Sequence, residues 1–479
     1  GLLSEHQFDA RDFWHHTKED ALQGVGGRQA RVPGAFAKFS ANPIRIPELE
    51  PSKNDKAADK ENRREAEETL SDTSREKDLP LAGLKVLDFM WVIAGPLFTR
   101  LLSDYGATVI KVESSTRTEP ARAQPAFKND EPGLETGTPF ANFNAGKLGI
   151  TVDPSNPIGK EVIEDLVRWA DVVTESFSPK AMKGWGLDYE SLRRINPEII
   201  MLSSCLMGQT GPRSQLPGYG NMAAAITGFY DLTGWEDRSP AGPYLAYTDG
   251  VAPRFMLASV MSAIEHRRAT GEGQYIDISQ AEAAIHFLAP AILDSEVNDH
   301  VWRRQGNRDL GLAPHGVYPV KGDDQWIAIA CQDDQAWIDF CAVAGFDQLS
   351  ADPELKSSAG RLKKCEMLDA LIQDWSAVQD GELLQSKLIE AGIAAHIVQN
   401  SPECMVDPQL SHREHFVSVP HVNMGDFIIE GTRFKLSRTP GGPKRANPEI
   451  GEHNAYVLTE ILGYDVDRMA DVFVSLAMS

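Results

Sequence analysis

Residues 84–113 decide the fold, and they read LKVLDFMWVIAGPLFTRLLSDYGATVIKVE. The segment 84–89 is apolar and rich in strand-forming residues, which predicts a strand. Gly95 and Pro96 then open a helix over 96–105, because proline suits the first helical turn. Residues 108–113 predict a second strand. This order indicates two parallel strands joined by a helix.

The same alternation continues along the chain. Strands are predicted at 148–152, 171–175, 198–203 and 274–279, with a helix over 158–169. Strands that alternate with helices imply a mainly parallel sheet covered on both faces. Around 314–332 the pattern changes to a hairpin, which predicts a smaller α+β domain. The predicted fold class is therefore α/β, with a large parallel-sheet domain and a smaller α+β domain. No GxGxxG follows a predicted strand and no GxxxxGK(S/T) occurs, so neither a dinucleotide site nor a P-loop is supported.

The composition limits the classes of partner. Lys and Arg number 47 against 69 Asp and Glu, which gives a formal net charge of −22 at pH 7. Such an acidic chain is a poor ligand for nucleic acid or anionic membranes, and no apolar run is long enough to span a bilayer. The five cysteines lack CxxC spacing, which indicates reduced thiols in a cytoplasmic protein. The twelve histidines form no HExxH motif, so no metal site is predicted.

Asp249 is the candidate nucleophile. It follows an aromatic-rich segment and precedes a helical pattern over 252–261, in which Pro253 suits the first helical position. A carboxylate there can attack an activated acyl group and form a covalent intermediate, and amides at a helix start favour its ionised form. The local sequence is equally compatible with a residue that only caps the helix.

Two short segments of the chain match each other. Residues 7–14 resemble 409–416, with Gln, Arg, an acid and an aromatic in the same order, and 34–43 resemble 431–440. If this similarity is a repeat rather than chance, residues 1–49 are the tail of a preceding copy of the same domain. A full product of roughly 800 residues with two fused copies is then expected.

A charged stretch follows the tail. Between 51 and 78, Leu70 is the only large apolar residue, so this stretch cannot bury a core and is interpreted as a solvated linker. We assign 50–80 to the linker, 81–300 to the first part of the large domain and 301–400 to the small domain. Residues 401–479 are assigned to a segment that returns to the large domain.

Eleven fragments of the chain form a recognisable combination. They are 84–89, 94–96, 106–107, 110–113, 175–177, Pro179, 186–187, 196–197, 211–212, 270–274 and 451–453. Together they resemble the class III CoA-transferases, which include formyl-CoA transferase and the carnitine CoA-transferases. The resemblance implies a Rossmann-like large domain built from both chain ends, a small domain between them, and an interlocked homodimer or a fused pseudo-dimer. It also implies acyl-CoA and CoA as substrates, with no permanently bound cofactor.

The resemblance assigns roles to individual residues. In that family the acid that becomes acylated lies just before the helix leading to a TGxGQ turn, and Asp249 matches it. The acyl pocket would be lined by Trp91, Val92, Ile93, Ala94, Trp185, Tyr219 and Gly250. CoA would be bound by Lys111, Glu113, Arg117, Arg122, Ser176, Phe177, Pro179 and Lys183. Of these, Arg117, Arg122 and Lys183 are the expected phosphate partners.

The chain departs from the family pattern at several positions. Trp91 and Ile93 stand where formyl-CoA transferase has His and Gln, which argues against a very small acceptor acid. Ser176 replaces the usual Asn, which predicts a weaker CoA contact. Tyr219 matches the histidine of the racemase branch, so two-base racemisation is not expected.

The acceptor is predicted from aromatic residues. Eight of them fall in segments expected near the pocket, namely Trp91, Trp185, Tyr219, Phe229, Tyr230, Trp235, Tyr244 and Tyr247. Core packing explains most such residues, but several around one site would bind a sulfonium or quaternary ammonium group. With the repeat, this resembles the tandem dimethylsulfoniopropionate CoA-transferase/lyase, whose lyase step would need a base such as Asp88, Glu113 or Tyr219. The alternatives are a carnitine- or betaine-type acceptor, an acyl-CoA isomerase or racemase, and a non-catalytic scaffold copy.

Overall fold

The computed structural model describes residues 1–17, 29–46 and 79–478, and the linker predicted between 51 and 78 lies outside them. The strands are β1 (Trp14–His16), β2 (Arg31–Pro33), β3 (Lys38–Phe39), β4 (Lys85–Phe89), β5 (Thr108–Glu113), β6 (Leu148–Thr151), β7 (Val172–Glu175), β8 (Ile200–Cys205), β9 (Tyr275–Ser279), β10 (His315–Pro319), β11 (Trp326–Ala330), β12 (Ala394–Ile397), β13 (Phe416–His421) and β14 (Gly425–Glu430). The α-helices are α1 (His6–Ala10), α2 (Ala94–Asp104), α3 (Thr138–Asn144), α4 (Pro157–Trp169), α5 (Pro179–Trp185), α6 (Tyr189–Ile195), α7 (Gly220–Ile226), α8 (Phe229–Leu232), α9 (Tyr247–Thr270), α10 (Gln280–Ile285), α11 (Ala289–Asn298), α12 (Asp334–Ala344), α13 (Asp347–Ala351), α14 (Ser358–Lys363), α15 (Cys365–Ser376), α16 (Gly381–Glu390), α17 (Ser401–Val406), α18 (Pro408–His412), α19 (Asn454–Tyr456) and α20 (Val466–Val474).

The chain divides into two compact units. The first comprises Gly1–Tyr230, Gly242–Trp302 and Glu414–Ser479, and the second comprises Asp231–Ala241 and Arg303–Arg413. The sequence assigns 301–400 to the small domain and leaves 231–241 in the large one. The observed second unit includes 231–241 because Asp231 forms ion pairs with Arg303 and Arg304.

A seven-stranded sheet with the order β3-β9-β8-β7-β4-β5-β6 forms the centre of the first unit. The strands from β4 to β9 are parallel, and β3 is antiparallel to β9. The six predicted strands of this sheet all form, within two residues of their predicted bounds, and the α/β fold class is confirmed. The chain builds β5 and β6 on one side of β4 and then returns to build β7, β8 and β9 on the other. The strand order therefore reverses between β4 and β7, which is where α/β sheets bind ligands outside the carboxyl ends of their strands.

Each face of this sheet has its own apolar core, because alternate residues of a strand point to opposite faces. On one face Leu87 of β4 shares a buried cluster with Val162 of α4. On the other face Val86 of β4 belongs to a cluster with Phe98 of α2 and Met256 of α9. Strands buried on both faces are rigid supports for the loops that follow them.

The second unit is built on a smaller antiparallel sheet. Strands β10 and β11 form the hairpin predicted around 314–332, and β12 pairs with β11 as the third strand. Trp337 and Phe340 of α12 pack with Ile327 of β11 in a separate core.

The amino-terminal segments pack onto the first unit through buried polar contacts. The side-chain amide of Gln7 donates to the backbone oxygen of Met207 at 2.8 Å. The guanidinium of Arg11 is fully buried and forms ion pairs with Asp277 at 2.6 Å and Glu282 at 2.5 Å. Together with β3, which pairs with β9, these contacts attach the described residues 1–17 and 29–46 to the β9 edge of the sheet.

Candidate active site

A cavity of about 350 Å³ lies where the strand order reverses, at the carboxyl ends of β4, β7 and β8. It is lined by the predicted pocket residues 91–94 and Tyr219, and also by Ser204, Cys205 and Gln280. Asp249 supplies the only carboxylate among the described residues that line this cavity, and none of those residues is Lys, Arg or His. The cavity is therefore mostly apolar, with one acidic group.

Asp249 lies in the first turn of α9, which begins at Tyr247. The predicted helix start at 252 is wrong, because Pro253 lies inside the helix and not at its first position. Asp249 is 4% exposed, and its Oδ2 accepts a hydrogen bond from the Gly220 N–H at 3.2 Å. The Thr248 hydroxyl donates to the Gly220 carbonyl at 3.0 Å, which fixes this backbone beside the carboxylate. A Cβ on Gly220 would lie 2.8 Å from Cγ of Asp249, so any larger residue would push the nucleophile away.

Burial changes the basicity of this carboxylate. Desolvation raises the pKa of Asp249 from its ordinary 3.8 to about 6, although hydrogen bonds from the Gly220 backbone and the Gln280 side chain act in the opposite direction. The carboxylate is therefore still largely ionised at pH 7. A buried, more basic carboxylate is less solvated and better suited to nucleophilic attack.

The loop after β4 is held by buried polar contacts to its backbone. Val92 has a φ of +71°, which is unfavourable for a β-branched residue, and its N–H donates to Oε1 of Glu119 at 2.7 Å. The N–H of Trp91 donates to the Ser176 hydroxyl at 2.8 Å. Lys111, which is fully buried, pairs with Glu119. Strain of this kind persists where the surrounding structure fixes the backbone, so this network positions the pocket loop.

Several predicted CoA-binding residues lie together beside this cavity. Glu113, Arg117 and Phe177 line a second cavity of about 220 Å³ that also includes Trp185. Phe177 and Trp91 border both cavities, and Ser176 lines the one that contains Asp249. Two further predicted residues lie on α5, where Pro179 is the first residue and the exposed Lys183 is in the last turn.

The structure corrects two of the CoA-binding assignments. Lys111 and Arg122 are both fully buried, so neither ammonium nor guanidinium is available to a phosphate. Arg122 pairs with Glu113 at 2.8 Å and with Glu135 at 2.7 Å. These cations neutralise buried carboxylates under the pocket loop, and their role is structural.

The aromatic cage is smaller than the sequence predicts. Of the eight candidates, Trp91 and Tyr219 line the cavity with Asp249, and Phe177 joins them. Trp185 packs edge-to-face behind Phe177, with ring centroids 5.4 Å apart, and faces the second cavity. Gly250 is exposed, and a Cβ built on it meets no atom within 4 Å. The other five aromatic candidates do not line the Asp249 cavity, namely Phe229, Tyr230, Trp235, Tyr244 and Tyr247.

The three candidate bases for a lyase step have different surroundings. Asp88 is fully buried and held by Lys147 at 3.0 Å. Glu113 is paired with Arg122. Tyr219 is the one candidate among them that lines the cavity with Asp249, and its side chain is 53% exposed.

Three of the polar residues of this cavity that were not predicted lie at or directly after the ends of strands. Ser204 and Cys205 lie at the end of β8, and Gln280 directly follows β9. Both strands were predicted, and residues at the carboxyl ends of parallel strands meet at one edge of a sheet. That rule could have identified all three from the sequence.

The described part of the chain has neither a metal-binding cluster nor a helix suited to crossing a membrane. Among residues 1–17, 29–46 and 79–478, no group of three or more His, Cys, Asp and Glu side chains is placed to hold a metal ion. None of the helices in those ranges is both long and apolar enough to cross a membrane.

Comparison with known proteins gives consistent results. The sequence profile of the family described as CoA-transferase family III matches residues 81–454. The chain is 30% identical over 398 residues to succinyl-CoA–D-citramalate CoA-transferase of Chloroflexus aurantiacus, covering 83% of this chain and 98% of that protein. It is 28% identical over 402 residues to "Probable CoA-transferase Rv1866" of Mycobacterium tuberculosis, covering 81% of this chain but 49% of that protein. A crystal structure of a CAIB/BAIF family protein from Brucella suis superposes with a TM-score of 0.73 at 29% identity, covering 80% of this chain and 100% of that one.

Proposed function

The chain belongs to CoA-transferase family III, and from this premise we propose that Asp249 carries CoA between an acyl-CoA donor and a carboxylic acid as a covalent nucleophile. The observation that supports this most strongly is the position of Asp249. It provides the only carboxylate among the described residues lining the cavity at the reversal of strand order. Its raised pKa and the Gly220 N–H beside it suit attack on a carbonyl carbon.

The proposed reaction has four exchanges at carbonyl carbons. An oxygen of Asp249 attacks the thioester carbon of the donor, a C–O bond forms, and the C–S bond breaks to release CoA thiolate. The thiolate then attacks the aspartyl carbonyl, which forms an aspartyl-CoA thioester and releases the donor acid as a carboxylate. The acceptor carboxylate then attacks the aspartyl-CoA carbonyl and releases CoA thiolate, which gives an anhydride of Asp249 and the acceptor. The thiolate attacks the acceptor carbonyl of this anhydride, so the acceptor leaves as its CoA thioester and the Asp249 carboxylate is restored. No proton is taken up or released.

The lining of the cavity supports a monocarboxylic acceptor with a cationic group. The relative from Chloroflexus is named for succinyl-CoA and D-citramalate, and both molecules carry a second carboxylate. Burying a second carboxylate beside that of Asp249 is costly without a cationic partner, and no Lys, Arg or His is among the described residues that line this cavity. The carboxylate of Asp249 and the rings of Trp91 and Phe177 favour positive charge instead. We therefore propose an onium acid of the dimethylsulfoniopropionate type as acceptor, with betaine and carnitine as close alternatives.

A panel of matched acceptors tests this proposal. Dimethylsulfoniopropionate, its neutral isostere 4-methylpentanoate and the dicarboxylate glutarate are supplied with acetyl-CoA or succinyl-CoA, and CoA esters are quantified by mass spectrometry. We expect the onium acid to have the highest kcat/KM. Trp91→Leu should reduce the preference for the onium acid over the isostere by roughly 5- to 30-fold, which corresponds to about 1–2 kcal/mol of cation–π contact.

Trp185→Leu is the matched control. Trp185 is also a tryptophan in contact with Phe177, but it faces the second cavity. This variant should leave the ratio of the two acceptors unchanged. A wild-type preference for glutarate, or equal effects of the two substitutions on the ratio, would rule out the onium assignment. Release of dimethyl sulfide in the same assay would reveal the additional lyase step, for which we propose Tyr219 as the base because it lines the cavity with Asp249.

We further propose that this chain is one copy of a tandem arrangement and pairs with a second copy. The matched segments 7–14 and 409–416 support this, as does the relative from Mycobacterium tuberculosis, about half of which the chain covers. Gln7 and Arg11 are buried in specific contacts, whereas the matching Gln409 and Arg413 are exposed. We therefore expect the exposed segment 409–416 to dock on a second copy of the domain in the way that 7–14 docks on this one. Light scattering of the isolated chain should give the mass of a dimer, and a monodisperse monomer would contradict the proposal.

A further inference from the structure

Three buried polar atoms without a partner belong to residues that line the cavity of the candidate nucleophile. Within the described residues, the buried Nε1 of Trp91, Oγ of Ser204 and Oε1 of Gln280 have no hydrogen-bond partner, and all three residues line the cavity with Asp249. A buried polar atom without a partner costs stability, so each such atom calls for an explanation. A cavity that receives a polar substrate supplies one.

Gln280 differs from the other two residues because it also contacts the reacting group. It is the first residue of α10, directly after β9. It lines the same cavity as Asp249 and lies close enough to lower the pKa of that carboxylate as a hydrogen-bond donor, a role that only its amide N–H₂ can fill. Its own Oε1 is buried and unpaired. Its position in the cavity beside Asp249 distinguishes Gln280 from the buried Gln274, whose Oε1 is also unpaired.

The Gly220 N–H is the second donor on the same carboxylate, at 3.2 Å from Oδ2. Asp249 is thus held between a backbone amide and a side-chain amide that come from different parts of the chain. Both donors are uncharged and fixed, as required for stabilising an oxyanion without reorganisation.

We propose that Gln280 is a catalytic residue that stabilises the oxyanion formed on the aspartyl carbonyl during CoA exchange. The proposal rests on the covalent route through Asp249 given above. When CoA thiolate attacks the aspartyl carbon of the mixed anhydride, a C–S bond forms and the carbonyl electron pair moves to oxygen. Gln280 and Gly220 donate to this oxygen. The C–O bond to the donor acyl group then breaks, and the donor acid leaves as a carboxylate.

The role is specific to one half of the reaction. In the initial attack on acyl-CoA, the negative charge develops on the donor carbonyl and leaves Asp249. In the thiolate attack, it develops on the aspartyl oxygen that Gln280 contacts. Loss of the amide should therefore slow thiolate attack more than acylation, and acylated protein should accumulate.

Gln280→Met tests this, because methionine has a similar volume but no donor. We expect kcat to fall about 10²-fold, as for the loss of one oxyanion donor, with the KM for acyl-CoA nearly unchanged. Rapid-quench mass spectrometry with acetyl-CoA should show an increased fraction of acetylated protein. The acid limb of kcat/KM should move to higher pH. In the wild type the Gln280 hydrogen bond lowers the pKa of Asp249, so the pKa should rise when this bond is lost.

Gln274→Met is the matched control. Gln274 is also a buried glutamine with an unpaired Oε1, but it does not line the cavity. This variant should keep the wild-type kcat and the wild-type acid limb. Gln280→Glu provides a second variant if the methionine variant does not fold. It preserves the shape but replaces the donor by a carboxylate, so it should be less active than wild type above pH 6 and should show a larger shift of the acid limb.

The outcomes separate this inference from the function on which it rests. The role of Gln280 is refuted if Gln280→Met and Gln280→Glu keep kcat within twofold of wild type and the acid limb at its wild-type pH. If Asp249→Asn is inactive in the same experiment, the covalent route stands. If Asp249→Asn is active, both are refuted.

Discussion

Replacing Asp249 by asparagine will remove CoA transfer, with a fall in kcat on the order of 10³-fold or more, as for the loss of a covalent nucleophile. The amide is nearly isosteric but cannot form the anhydride, and no other carboxylate among the described residues lines the cavity. The assay is steady-state formation of acyl-CoA, with the acceptors described above. Turnover within tenfold of wild type would show that another residue carries the chemistry.

The same substitution has a predictable effect on pH dependence and stability. The wild-type kcat/KM should fall as pH drops through about 6, because protonation removes the nucleophile. Because the pKa is higher in the folded state than its ordinary 3.8, the folded protein binds more protons between pH 4 and 6, and stability decreases as pH rises through this window. The ionised carboxylate then costs about 3 kcal/mol at pH 8. Asp249→Asn should therefore unfold at a higher urea concentration than wild type at pH 8, with a difference that shrinks towards pH 4.

Replacing Arg11 by methionine will destabilise the first unit by about 3–5 kcal/mol at pH 7. Its guanidinium is fully buried between Asp277 and Glu282. Its loss would leave two carboxylates without a cation in a site where burial already raises the pKa of Glu282. Urea unfolding followed by circular dichroism measures the loss.

Arg31→Met is the control for Arg11. Arg31 pairs with Glu296 at 3.0 Å, but both side chains are partly exposed, and such pairs contribute about 1 kcal/mol or less. Similar losses of unfolding free energy for the two variants would mean that burial does not make the Arg11 ion pairs more important for stability than a partly exposed pair.

The parallel sheet could be predicted from the sequence because its strands are buried on both faces. Such strands are rich in Val, Ile, Leu and Phe, and 84–89 and 108–113 could be predicted for that reason although each contains two charged residues. The start of α9 could not be predicted, because Gly242, Pro243 and Gly250 weaken the local helical pattern around Asp249. Tertiary contacts to Gly220 decide the conformation there.

The candidate site was predicted best where a residue follows a strand and worst where proximity along the chain was taken for proximity in space. Tyr244 is only five residues from Asp249 but is 89% exposed. Gln280 is remote in sequence but lines the same cavity as Asp249. Lys111 and Arg122 match a CoA-binding motif, but the sequence does not reveal the buried acids Glu113 and Glu119 that neutralise them.

The burial of Arg11 also bears on how this protein can be shortened. The span that matches the family profile begins at residue 81, and a chain trimmed to that span would lose Arg11 together with β3. Two acidic side chains would then be left in the interior without counter-charge, and the outer strand of the sheet would be an open edge prone to self-association. The minimal unit that can be produced in folded form should therefore extend well upstream of the region of sequence similarity.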